Sequence, residues 1–267
     1  MAIRFEKIEQ VAVLTLDRPE ALNALDLDSL HLLRTHLQRY RDDPQLRALV
    51  ITGHGERSFC TGTDLRATRS SPASYAAAMF ASKADASEQG LYIRLMDLTD
   101  LGLWKPVVAA INGYCLGGGM ELALQCDIRL AGEHASFGLP EVCSGSIPAV
   151  AGVYRLIKAV GTSHALQMAL TGERITAAQA LAIGLVSEVT SQERLVARAM
   201  EVARRIAGNG PLAVQAVKKL SRQAAHLSEP EAQELTDLHW GALRDTHDRQ
   251  EGRAAFAEKR QPVFTGQ

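Results

Sequence analysis

No apolar run in this 267-residue chain approaches the roughly 20 residues that cross a bilayer, so no membrane span is expected. The first stretch, MAIRFEKIEQVAVLTLDRPE, carries charges through its apolar residues and does not read as a secretory signal. Charge of one sign is missing as well. The 29 Lys and Arg nearly cancel the 30 Asp and Glu, for a net charge of -1. That balance gives no general field to draw nucleic acid or an anionic membrane, and no basic stretch is interleaved with aromatics. Cysteine is scarce. Cys60, Cys115, Cys126 and Cys143 lack the paired spacing of a zinc site, and a chain of this length needs no disulfide staples. They are expected as reduced core residues of a cytoplasmic-type protein. The eight histidines, among them His31, His54 and His134, also lack paired metal spacing, so no metal is expected. There is no repeat of solenoid period and no low-complexity linker.

What is present is ordinary for a soluble globular chain: 46% apolar and 22% charged residues. VAVLTLD (Val11 to Asp17) alternates and reads as a strand. Leu30, Leu33, Leu37 and Tyr40 then recur at helical spacing behind the capping candidates Asp26 and Asp28. RALVITG (Arg47 to Gly53) and KPVVAAING (Lys105 to Gly113) read as buried strands, and DIRLAG as another. SFCTGTDL (Ser58 to Leu65) shows no period and reads as a loop. Residues 66–104 are rich in Ala and Ser and are expected as helical pieces. Helices are expected over Val150 to Val160, Ser163 to Leu170 and Thr176 to Ile183, then four more to Lys259. Pro211 can start a helix, and Gly208 and Gly210 can end one. Strands alternate with helices at first and helices dominate the end, which is an α/β pattern.

YCLGGGMELALQCD (Tyr114 to Asp127) runs three glycines into an apolar segment with one carboxylate, Glu121. A strand, a tight turn and a helix start gather unpaired backbone N–H groups at one point, and such a point attracts negative charge. The spacing fits neither common phosphate-loop pattern. Two readings stay open on these residues alone. One is an oxyanion hole aimed at a carbonyl oxygen, with Glu121 as its acid–base group. The other is close packing of helix on strand, with Glu121 merely favouring the helix start. SFCTGTDL also follows a buried strand, and loops at strand ends converge in open α/β sheets. Glu141, in FGLPEV, is by itself a surface turn residue. Together with Glu121 it becomes a second carboxylate, and two carboxyls in one apolar site push their pKa values apart.

These segments resemble the crotonase superfamily, and most closely the enoyl-CoA hydratases. The resemblance is carried by DRPEALNALD, ALVITGHGERSFCTGTDL, KPVVAAINGYCLGGGMELALQCDIRLAGEHASFGLPEV, GSIPAVAGVYRL, LTGERITAAQALAIGLVSEV and DRQEGRAAFAEKR, in order along nearly the whole chain. It implies a crotonase-like spiral of ββα units over residues 1–200, with the acyl-CoA site, and a helical C-terminal region over 201–267 that serves oligomerisation within the same functional domain. It implies an acyl-CoA thioester substrate, no separate cofactor, and a homotrimer or dimer of trimers with a place in β-oxidation.

Carried over by motif, the oxyanion donors are the backbone N–H groups of Gly118 and of Thr63, the residue before Asp64. Glu121 would activate water for attack on the β-carbon, and Glu141 would supply the α-proton. Ala21 and Ala24 would lie along the adenine side. Thr61, Asp64, Leu65 and Arg66 would flank the rest of CoA, with Gly117, Pro140 and Ala149 near the reacting end. Lys259, in the tail helix, would reach CoA phosphate from a neighbouring subunit.

Some positions depart from the pattern. Ala149 stands where many hydratases have a glycine, Glu20 where relatives are often basic, and Thr61 and Thr63 add branched bulk. The same hole also serves isomerases, specialised dehydratases and thioester hydrolases. Isomerases generally lack the first glutamate. A non-catalytic CoA-binding protein would be expected to have lost both carboxylates.

Overall fold

The computed structural model describes residues 2–64, 66 and 74–267, without the side chains of Ala84 and Gln89. β1 (Ile3–Ile8) and β2 (Val11–Leu16) pair antiparallel, and α1 (Leu27–Asp42) follows. The Asp26 carboxylate caps α1 by accepting from Ser29 N–H at 2.8 Å. Leu30, Leu33, Leu37 and Tyr40 form its buried face, as their spacing predicts.

The chain then repeats a unit of strand, short turn, second strand. β3 (Ala48–Gly53) leads to β4 (Ser58–Cys60). After α2 (Tyr75–Phe80) and α3 (Lys83–Ala86), a π-helical turn and two 3-10 turns carry the chain to Leu101. β5 (Val107–Ile111) leads to β6 (Tyr114–Leu116) and α4 (Gly118–Gln125). β7 (Ile128–Gly132) leads to β8 (Ser136–Gly138). Beyond them come α5 (Gly152–Val160), α6 (Thr162–Thr171), β9 (Ile175–Thr176), α7 (Ala177–Ala182) and β10 (Glu188–Thr190). The chain ends in α8 (Leu195–Ala207), α9 (Pro211–Gln223), α10 (Glu229–Arg244) and α11 (His247–Glu258).

The first strand of each unit enters a sheet ordered β1-β2-β3-β5-β7-β10, parallel apart from the first pair. The second enters a smaller sheet, β4-β6-β8-β9, whose first three strands are parallel. Alternation decides which side each residue serves. Val11, Val13, Ala48, Val50, Val108 and Ala110 pack on Leu195, Ala199 and Ala203 of α8. Leu14, Leu49, Ile51, Ala109 and Ile111 enter the main core with the buried face of α1. Both faces of the large sheet are therefore covered, so its strands read as unbroken apolar runs.

The smaller sheet positions the site. β4, β6 and β8 are neighbours and run the same way, so their C-terminal ends share one edge. The segments leaving that edge begin at Thr61, Gly117 and Leu139.

Several expectations change in detail. Ser58–Cys60, read as the start of a loop, is strand β4, too short to show a period. Cys60, Cys115 and Cys126 are buried as expected, but Cys143 is exposed, because it sits in a 3-10 turn at the surface rather than in the core. Pro211 opens α9 and Gly208 caps α8. Among the described residues no helix is long and apolar enough to cross a membrane.

Candidate active site

Gly117 closes β6 against β8, its N–H donating to Gly138 O at 3.0 Å. It then takes φ 54 and ψ -128, a backbone region open to glycine. A side chain there would also approach Glu141 Oε1, which lies 3.1 Å from the position of a Cβ. Gly118 begins α4, so its N–H has no partner within the helix. A Cβ on Gly118 would lie 2.8 Å from Met96 Cε and 3.2 Å from Gly62 Cα. Gly62 has φ +92, and a Cβ on it would lie 2.8 Å from Gly118 N. The loops after β4 and β6 thus touch at two glycines. Packing is part of the answer to the glycine run, since a Cβ on Gly119 would sit 2.1 Å from Cys60 O.

Thr63 comes next to that contact. It bridges in parallel to Leu25, but the bonds of the bridge come from its neighbours: Leu25 N–H donates to Gly62 O and Asp64 N–H to Leu25 O. The Thr63 N–H is not used in the bridge. The close approach of Gly62 to Gly118 brings the two expected donors into one neighbourhood.

Glu121 is carried by the first turn of α4 and is only 1% exposed. One oxygen, Oε1, accepts from Val150 N–H at 2.6 Å and from Gly152 N–H at 2.9 Å. Among the described residues no hydrogen bond reaches its Oε2. Burial pushes its carboxyl up to about 7, helped by the charge of Glu141 and opposed by the two N–H groups and by Arg155. Glu141 sits in the 3-10 turn Pro140–Ser144, which Pro140 opens after β8. Its Oε2 is buried with no hydrogen-bond partner among the described residues. Burial raises its pKa as well, against a bond from its own backbone N–H. Two desolvated carboxyls, both with raised pKa values, thus stand beside a helix start and a glycine turn, an arrangement suited to proton transfer.

The sequence pattern of the enoyl-CoA hydratase/isomerase family matches residues 6–267. The chain belongs to that family. It is 42% identical over 266 residues to the (E)-benzylidenesuccinyl-CoA hydratase of Thauera aromatica, covering 100% of both chains. It is 42% identical over 262 residues to the carnitinyl-CoA dehydratase of Proteus mirabilis, covering 96% of this chain and 95% of that one. The crystal structure of enoyl-CoA hydratase from Bacillus anthracis superposes with a TM-score of 0.89 at 32% identity, over 100% of both chains. The two sheets and their helices are therefore a crotonase-type fold. The named relatives add or remove water, and this family member is an enzyme of the same hydro-lyase kind.

The remaining expected residues of this hydratase/isomerase-family site are placed as follows. Ala21 ends the 3-10 turn Pro19–Ala21, and Ala24 is buried just after it. Arg18 organises this loop, donating to Ala24 O at 2.8 Å and to Asp64 Oδ2 at 2.8 Å. That bond holds the Asp64 carboxyl below its ordinary pKa. Asp64 thus acts as a tie between two loops. Thr61 Oγ1 donates to Leu22 O at 3.3 Å. Arg66 is exposed, and its N–H donates to Asp64 Oδ1 at 3.0 Å. Leu65 lies outside the described residues. Ala149 is exposed and directly precedes Val150, whose N–H meets Glu121 together with that of Gly152. Lys259 lies just beyond α11, as its left-handed cap, and is exposed.

Arg18, Met96, Val150, Gly152 and Arg155 were not singled out from the sequence. Backbone donors carry no side-chain signature, and a lone arginine in an amphipathic helix looks like any solvated one. A cavity of about 640 Å3 also lies behind α5, lined by Gln125, Asp127, Tyr154, Lys158, Lys218 and Arg222 among others. It contains none of Glu121, Glu141, Gly118 or Thr63, and so is not the site described above.

Proposed function

We propose that the protein is an enoyl-CoA hydratase, adding water reversibly to a 2-enoyl-CoA thioester to give a 3-hydroxyacyl-CoA. The observation that carries this reading is the unequal pair Glu121 and Glu141, set beside the start of α4. The thioester oxygen would rest between Gly118 N–H and Thr63 N–H, where each donor supplies about 3 kcal/mol as negative charge develops. Oε2 of Glu121, left open by the bonds to Oε1, would take a proton from water as it attacks the β-carbon. Glu141, its pKa raised by burial, would give the α-proton. With water and proton delivered from one pair, addition is syn. The reverse direction dehydrates a 3-hydroxyacyl-CoA.

The residues named for CoA fit the same reading. Ala21, Ala24, Thr61, Asp64, Leu65 and Arg66 would follow its length, while Gly117, Pro140 and Ala149 would surround the reacting end. Lys259 would complete a neighbour's site in a trimer or hexamer, for which the uncovered surface of α10 is supporting.

Incubation with a panel of straight-chain, branched and aromatic 2-enoyl-CoA thioesters, with product identification by mass, tests the assignment. A gain of one water is expected for at least one of them. Free CoA, or a shifted double bond without added water, would replace hydration by thioester hydrolysis or isomerisation.

A further inference from the structure

Arg155 lies on α5, one turn beyond the Val150–Gly152 turn that holds Glu121. Three peptide groups matter in that turn. The outer two donate Val150 N–H and Gly152 N–H to Glu121 Oε1 at 2.6 and 2.9 Å. The middle one presents its carbonyl elsewhere, and Val150 O accepts from Arg155 Nη1. Such a turn needs holding. Ala151 has φ 55 and ψ 28, a left-handed conformation that is unfavourable for any residue with a side chain.

The other end of the guanidinium faces Asp97, with Nη2 3.5 Å from Oδ1. Asp97 follows Met96, whose thioether lies over Gly118. Asp97 Oδ2 also accepts from Lys83 Nζ of α3 at 2.8 Å. One arginine therefore touches the turn that holds the carboxylate and the segment that covers the expected oxyanion donor.

We propose that Arg155 is a positioning residue for Glu121: it holds the middle peptide so that the flanking N–H groups stay on the carboxylate, and Asp97 fixes it in place. The inference rests on Glu121 acting as the base. Among the described residues the charged and titratable groups facing Glu121 are few. Glu141 faces it from the 3-10 turn and raises its pKa, while Arg155 faces it from α5 and lowers it. The thiols of Cys60 and Cys115, on the strands packed against α4, are held protonated by burial. Loss of Arg155 removes a cation and loosens two donors, and both changes disfavour the ionised form.

The test is steady-state hydration of crotonyl-CoA, or of the best thioester in the panel, as a function of pH. The proteins are full-length wild type, Arg155→Met, Arg155→Lys and Asp97→Asn, and Arg155→Met combined with Glu121→Gln. Arg155→Met should lower kcat about 10- to 100-fold, leave KM within about threefold, and move the acid limb of kcat/KM upward by about one pH unit. Arg155→Lys, which keeps the charge and one donor, should recover part of both effects. Asp97→Asn should act in the same direction by about threefold. In the Glu121→Gln background Arg155→Met should change the residual rate less than about twofold.

Wild-type kcat with an unmoved acid limb in Arg155→Met would overturn the proposal. So would a further tenfold loss, by about that factor, in the Glu121→Gln background. If circular dichroism shows Arg155→Met unfolded, Arg155→Lys and Asp97→Asn decide, and unmoved acid limbs in both overturn it. The reading beneath is tested separately, because Glu121→Gln hydrating at the wild-type rate would remove Glu121 as base whatever Arg155 does.

Discussion

Glu121 stands on α4 with one oxygen fixed by two backbone N–H groups of the Val150–Gly152 turn, whereas Glu141 stands in the turn Pro140–Ser144 with Oε2 buried and unpartnered. Both are desolvated. Among the described residues Glu121 alone of the two receives donors from another segment, and those donors support its charged form against burial. Glu141 has its own backbone N–H and little else. The same side chain is therefore held by donors from a neighbouring segment at one position and keeps a buried, unpartnered oxygen at the other. The backbone around each carboxyl makes the difference.

Removing either half of the pair is the largest disturbance. Glu121→Gln and Glu141→Gln keep shape and take away a proton-transfer group, so each should lower kcat for hydration by about 10² to 10⁴. Loss in Glu141→Gln alone would break the comparison, because Glu121 would then be a packing residue and isomerase chemistry would stand.

A smaller effect should appear in stability. The Glu121 pKa is raised from 4.5 to about 7 by burial. Below pH 4.5 the group is protonated in folded and unfolded states alike. Between 4.5 and about 7 the unfolded chain ionises first, so stability falls as pH rises, and above about 7 the loss is complete. That span corresponds to roughly 3 kcal/mol at about 1.4 kcal/mol per pH unit. Glu121→Gln lacks this loss. Urea unfolding should show the variant gaining on wild type by about 3 kcal/mol between pH 4 and pH 8. A difference independent of pH would mean that Glu121 is not held near neutrality.

The sequence was most legible where elements are long or both faces are covered. β2, β3, β5 and β7 announce themselves as apolar runs, and α1 by spacing and its Asp26 cap. β4, β6 and β8 are three residues each, too short for any period, yet they set the edge on which the site is built. Glu121 and Glu141 were legible because their flanking residues carry a family pattern. The turn that holds Glu121 was not. Its donors are backbone groups, and its left-handed residue is Ala151 rather than the glycine that would have marked it. Arg155 and Asp97 are far apart in sequence and meet only through the fold.

The comparison between the two carboxyls comes down to the charge state of Glu121 and its dependence on Glu141. The direct measurement is kcat/KM for enoyl-CoA hydration from pH 5 to pH 9, in wild type and in Glu141→Gln, using whatever rate the variant retains. Wild type should lose activity as pH falls through about 7, because protonation removes the base. Glu141→Gln should carry that limb to lower pH, since the neighbouring negative charge that raises it is gone. A wild-type profile flat across neutrality would contradict Glu121 as the base, and a limb that stays in place in Glu141→Gln would contradict the charge coupling of the two carboxyls.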